Sequence, residues 1–180
     1  MRAVSPRAVL PGLAVAVALC LVGTPASADP TATSDVVVTV PGGALQIAVE
    51  DDQVSLTTIT TDGGQTMVSG RLGQVTVRDR RNAPAGSGWV ADVVATDFTG
   101  RGESSLPASQ FRYEPGEVDT EGTVTVTTSA GRNLREPTAV VTATDVLGDN
   151  SASWTPVLTV VVPPGMAPGT YRGTVTHSVL

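Results

Sequence analysis

The chain has 180 residues, 41% of them hydrophobic but only 3% aromatic, and a formal charge of −6 from 11 basic and 17 acidic side chains. Such an acidic chain lacks the broad basic face that nucleic acid or anionic lipid requires, so neither is expected as a partner. All the basic residues are arginines, which excludes lysine Schiff bases and lysine–asparagine cross-links.

At the start of the chain, Arg2 and Arg7 precede an apolar stretch from Val9 to Val22, and Ala26-Ser27-Ala28 supplies small residues after it. This pattern predicts a secretory leader over residues 1–28, cleaved after Ala28. A transmembrane anchor is disfavoured, because Pro11 interrupts the run and a bilayer core needs roughly 20 apolar residues. Val17-Ala18-Leu19 before Cys20 lacks a lipoprotein pattern. Cleavage therefore removes the only cysteine, and with it any disulfide, thiol nucleophile or zinc–thiolate site. It leaves nine arginines against 17 acidic residues, a formal charge of −8. Residues 29–180 suit a single domain that buries about 68–70% of its unfolded surface, with no membrane contact expected after the leader is gone.

From Asp35 onward the chain reads as strand, turn, strand. Val36-Val37-Val38-Thr39-Val40 ends at Pro41-Gly42-Gly43, residues that fix φ or tolerate positive φ. Leu45, Ile47 and Val49 then alternate with Gln46, Ala48 and Glu50, and Val54 to Thr60 follows, closed by Asp62-Gly63-Gly64. These strands are expected to form a hairpin beneath the run Leu72–Phe98. That run itself reads as two strands around a loop rich in Arg, Gly and Pro, with Trp89, Ala91, Val93 and Ala95 on one face. Leu106 to Tyr113, Thr123 to Ser129, Ala139 to Thr144, Trp154 to Val162 and Thr170 to Val179 continue the extended pattern, and Asp145 to Asn150 reads as a turn. No apolar stripe of helical period occurs beyond the leader. The expected fold is all-β, an antiparallel β-sandwich of about nine or ten short strands.

Few residues carry chemistry. His177 is the only histidine and lies between Val175 and Val179 in an apolar phase, where packing suits it better than catalysis. No G-x-S-x-G elbow occurs, and a carboxylate pair for glycoside hydrolysis cannot be placed from spacing alone. Glu50-Asp51-Asp52, Glu117 to Glu121 and Asp145 to Asn150 are acidic enough for calcium, yet none follows D-x-[DN]-x-[DN]-G. Neither a metal nor a cofactor is expected. Arg78, Arg80 and Arg81 cluster around Asp79 and read as a solvated loop. Trp89 and Trp154 belong in a core that has few other aromatics to fill it, with ligand stacking as the alternative.

The segments LGQVTVRDRR, GWVADVVATDF, LPASQFRY, NSASWTPVLTVVVP and GTYRGTVTHSV, in that order, resemble the WxL-domain family of secreted cell-wall proteins in its divergent actinobacterial form. The resemblance runs from about Leu45 to the C-terminus. It implies an all-β fold and non-covalent attachment to the Gram-positive cell wall, with peptidoglycan or another wall component as partner. Trp89-Val90-Ala91 stands where the family has a Trp-x-Leu triplet, and His177 stands near the place of a second tryptophan. Wall binding is accordingly expected at Trp89, Asp97, Phe98, Trp154 and His177. The expected function is that of a secreted, non-enzymatic surface protein. Two other readings are a β-sandwich module that binds another surface protein through a strand edge and an envelope hydrolase.

Overall fold

The computed structural model describes residues 37–40, 42–50, 53–102 and 104–180; the predicted leader, with its cleavage site at Ala28, lies outside them. Twelve strands are found among the described residues: β1 (Leu45–Val49), β2 (Thr58–Asp62), β3 (Gln65–Arg71), β4 (Val75–Ala95), β5 (Phe98–Thr99), β6 (Ser105–Leu106), β7 (Phe111–Glu114), β8 (Val118–Thr128), β9 (Gly131–Arg132), β10 (Thr138–Trp154), β11 (Val157–Val162) and β12 (Val175–Val179). One 3₁₀ turn, Ala108–Gln110, is the only helical element among them. The expected all-β architecture is therefore present.

The strands form two five-stranded antiparallel sheets and one short ribbon, β5–β6. In the first sheet the order is β1-β4-β10-β8, with β12 also pairing with β4. β1 takes the Val75–Asp79 half of β4 and β12 the Ala91–Ala95 half. The second sheet has the order β2-β3-β11-β7-β9. Two of the places where the chain passes between sheets, Arg71–Val75 and Trp154–Val157, are tied by the Leu72 N–H donating to the Pro156 carbonyl at 2.9 Å. Pro156 suits such a place, since a proline nitrogen cannot donate within a ladder.

Period-two alternation puts the apolar face of each sheet inward. Val75, Val77, Trp89, Ala91 and Val93 from β4 meet Val141, Ala143, Ala152 and Trp154 from β10, with Phe111, Tyr113, Leu158 and Val160 from the second sheet opposite. Fully burying each large apolar side chain contributes roughly 1.5–3 kcal/mol, so a core of this size suffices without a covalent staple.

Four expectations need correction, besides a strand count of twelve in place of nine or ten, with β4 and β10 long at 21 and 17 residues. Val37–Val40, expected to be part of a strand, belongs to none. The Arg-, Gly- and Pro-rich stretch after Asp79 is not a loop joining two strands: the chain runs on as one 21-residue strand, β4, beside β10. Asp145 to Asn150 likewise lies within β10 and does not reverse the chain. Here Asn82 (φ +50°), Gly86 (φ +82°), Asp145 (φ +54°) and Gly148 (φ +68°) take left-handed backbone, and the β4–β10 register shifts between Ala143 and Asn150. Residues that usually make turns are making bulges, because the partner strand stays paired on both sides of them. Lastly, β1 and β2 form no hairpin: β1 joins β4 at an edge of the first sheet, while β2 pairs with β3 in the second, around Asp62-Gly63-Gly64.

Gly86 and Gly122 have nearly equal φ, +82° and +81°, but a Cβ on Gly86 would meet open space and one on Gly122 would sit 2.5 Å from the Asp149 carbonyl oxygen. Gly86→Ala is expected to cost about 1 kcal/mol from backbone strain alone, and Gly122→Ala about 3 kcal/mol because strain and overlap add. Urea unfolding should resolve the two as a small and a large fall in midpoint at unchanged slope.

Candidate functional site

β4 brings Trp89 inward near the bulged stretch, where its Nε1–H donates to Asn150 Oδ1 at 3.1 Å. Asn150 pairs across the ladder with Asp79. Asp79 has no exposed side-chain surface, and its cover is the Arg81 side chain: Oδ1 accepts from Arg81 N at 3.0 Å and Nε at 2.9 Å, and Oδ2 from Nη2 at 2.8 Å. These bonds, the side-chain ones foremost, hold the carboxyl below its ordinary range against the opposing effect of burial. Arg81 Nη2 also donates to the Gly88 carbonyl at 3.2 Å, closing the stretch between the two halves of β4. The cluster satisfies its own polar groups and has structural work at the bend.

Trp154 occupies the other end of β10. Its Nε1–H donates to Tyr113 Oη at 2.9 Å, and that oxygen lies 2.9 Å from His177 Nε2. An indole N–H can only donate, so the Tyr113 hydroxyl accepts from it and has its own proton to give to His177. His177 Nε2 receives it in the tautomer that carries the ring proton on Nδ1. Burial drives the His177 pKa down to about 4, and burial also raises that of Tyr113. The chain Trp154–Tyr113–His177 is thus uncharged at neutral pH and spans the two sheets, with His177 meeting a phenol on its Nε2 side.

Of the five residues expected to bind the wall, Trp89 and Trp154 are 2% and 1% exposed and present no face to solvent. Asp97 accepts a hydrogen bond from Ala108 N at 2.7 Å and so fixes the 3₁₀ turn. Phe98 and His177 do come together: they line a groove of about 300 Å³ with Leu56, Leu72, Leu158 and Val175. Phe98 packs on Phe111, ring centroids 4.6 Å apart.

Phe98 also borders a second, larger groove of about 970 Å³, walled by residues 53–56 on one side and 166–173 on the other. Its floor follows from sheet register. Phe111, Val160, Val68 and Ile59 form one cross-strand row over β7, β11, β3 and β2. Phe111 is fully buried, Val160 is 2% exposed and Ile59 is 69% exposed. The row is therefore covered at one end only, and the remaining apolar floor is open. Tyr171 and Arg172 stand at its rim, and Tyr171 Oη donates to the Ala167 carbonyl at 2.8 Å, holding the loop wall in place. Sequence reading missed Tyr171, Arg172, Met166 and Leu56 as site residues, since nothing local marks them. The unequal exposure of an in-phase row was the one available signal, and it needs the register. No three His, Cys, Asp or Glu side chains among the described residues converge to hold a metal ion.

Two outcomes follow from the buried relay. Because the folded His177 pKa lies near 4 and an unfolded histidine titrates near 6.5, the unfolded chain binds the extra proton between these values. Stability is complete above pH 6.5 and falls by on the order of 2–3 kcal/mol as pH drops towards 4. His177→Gln should flatten that dependence in urea titrations at pH 4.5, 5.5 and 7. Tyr113→Phe leaves the buried Trp154 N–H without its acceptor and should cost about 1–3 kcal/mol at pH 7, read from the same unfolding curves. Comparison with protein-family models, with characterised proteins and with solved structures finds no match.

Proposed function

We propose that this chain is an exported, non-enzymatic binding module of the bacterial cell envelope, held at the surface by non-covalent contact between its open groove and cell-wall material. The observation that carries the reading is the distribution of its aromatics. Trp89, Trp154, Phe111 and Tyr113 are buried, whereas Phe98 and Tyr171 are partly exposed and line the groove. Apolar ring faces suit the hydrophobic faces of sugars and short aliphatic side chains, and the exposed Arg172 beside them suits a carboxylate. Peptidoglycan offers all of these. The resemblance of the motif order to WxL-domain proteins and the leader-like pattern over residues 1–28 support the same location. The non-enzymatic part rests on the way the sole histidine is engaged, with Nε2 towards Tyr113 and a pKa near 4.

The test is co-sedimentation of the secreted protein with insoluble peptidoglycan at low and moderate salt. The wild-type protein is expected in the pellet. Tyr171→Ala should lower the apparent affinity about threefold to tenfold, the value of one aromatic contact, and Tyr171→Phe, which keeps the ring but loses the bond to Ala167, should fall between Tyr171→Ala and wild type. A wild-type protein that stays wholly in the supernatant defeats the reading, and equal retention of Tyr171→Ala moves the binding surface away from the groove.

A further inference from the structure

Among the described residues β8 ends the first sheet and pairs on one side only, with β10. Its upper half, Thr123-Val124-Thr125-Val126-Thr127-Thr128, contains no charge, proline or glycine, and Thr125–Thr128 pairs with Val141–Thr144 in unbroken register. Sheet edges are usually protected by such residues or by bulges. This one leaves Val124 and Val126 only half-buried.

The same chain carries a strand-forming run that pairs with no strand among the described residues. Val37–Val40 belongs to no strand, and Val37, Val38 and Val40 are 90%, 77% and 67% exposed. With Val36 the run reads V-V-V-T-V, the composition most suited to a half-buried strand.

We propose that Val37–Val40 of one copy adds as a sixth strand to the free edge of β8 in a second copy. Laid antiparallel with Val38 opposite Val126, the segment places Val40 opposite Val124, so two valines extend the inner face while Val37 and Thr39 align with the outward threonines. The antiparallel sense also carries Asp35 away from Asp119 and Glu121, whereas a parallel one brings it towards them.

In this register, with Val40 opposite Val124, pairing within one copy is opposed by reach. The run leads into β1, at the far edge of the same sheet, with β4 and β10 between it and β8. A position beyond β8 lies four inter-strand spacings from β1, about 19 Å, and the five residues from Leu45 back to Val40 extend about 17 Å at most. The donor run continues in sequence into β1, one outer strand of the sheet, and the acceptor β8 is the other, so the contact is head-to-tail and can propagate.

This association is independent of the groove and is measured without wall material. Light scattering after size-exclusion, on the protein as secreted from an expressing host, should give a mass that rises with concentration through dimer and longer species. Val38→Asp changes an exposed side chain and should leave the fold intact by circular dichroism while returning the protein to monomer. A synthetic peptide of residues 35–40 should then bind that variant in a ratio of 1:1. A wild-type protein that is monomeric at every concentration overturns the proposal, as does a Val38→Asp protein that still associates or fails to take up the peptide.

Discussion

The Tyr113 hydroxyl is the point on which the two sheets are registered. It takes the indole proton of Trp154 from the first sheet and faces the imidazole of His177 from the same sheet, while its own strand, β7, belongs to the second. A phenol in a dry interior has to find both an acceptor and a donor or forfeit the bonds it had in water. Sliding one sheet over the other by a residue would break both contacts at once. Apolar packing alone tolerates many near-equivalent arrangements, and the directed bonds of these three side chains select one. The fixed register in turn leaves Phe111 and Val160 covered and Ile59 uncovered, which is how the groove arises.

A second polar cluster sets the course of the longest strand. Asp79, Arg81, Asn150 and Trp89 lie where β4 and β10 bulge, and their bonds bridge from one half of β4 to the other. A carboxylate without solvent contact is costly unless fully bonded, and Arg81, itself partly exposed, satisfies it from the solvent side. The arginine reads as a surface residue in sequence and acts as the cap of a buried one.

The strands were legible because alternation needs only a local window. Val75, Val77, Trp89, Ala91 and Val93 stand inward as their phase requires. Asp79 shares that phase, a hint of its burial that its charge conceals. Turn chemistry misled, since the left-handed backbone favoured by Asn82, Gly86 and Gly148 serves a bulge as well as a reversal. Which of the two forms depends on whether a partner strand continues past it, and that partner, β10, lies some 60 residues away. The division of β1 and β2 between sheets was hidden for the same reason. The groove draws its walls from residues 53–56 and 166–173 and its floor from three strands, so no stretch of sequence contains it.

β1 and β12, which touch one another, lie along the same edge of β4, with Ala44 bonded to Arg80 and Leu180 to Val90. The polypeptide thus enters and leaves this body at neighbouring points, whatever path it takes beyond them. A unit with that geometry hangs from its two ends like a pendant. Tension drawn through a longer chain would part β1 and β12 from β4 rung by rung, and the ladder formed by β4, β10 and β8 would bear little of the load.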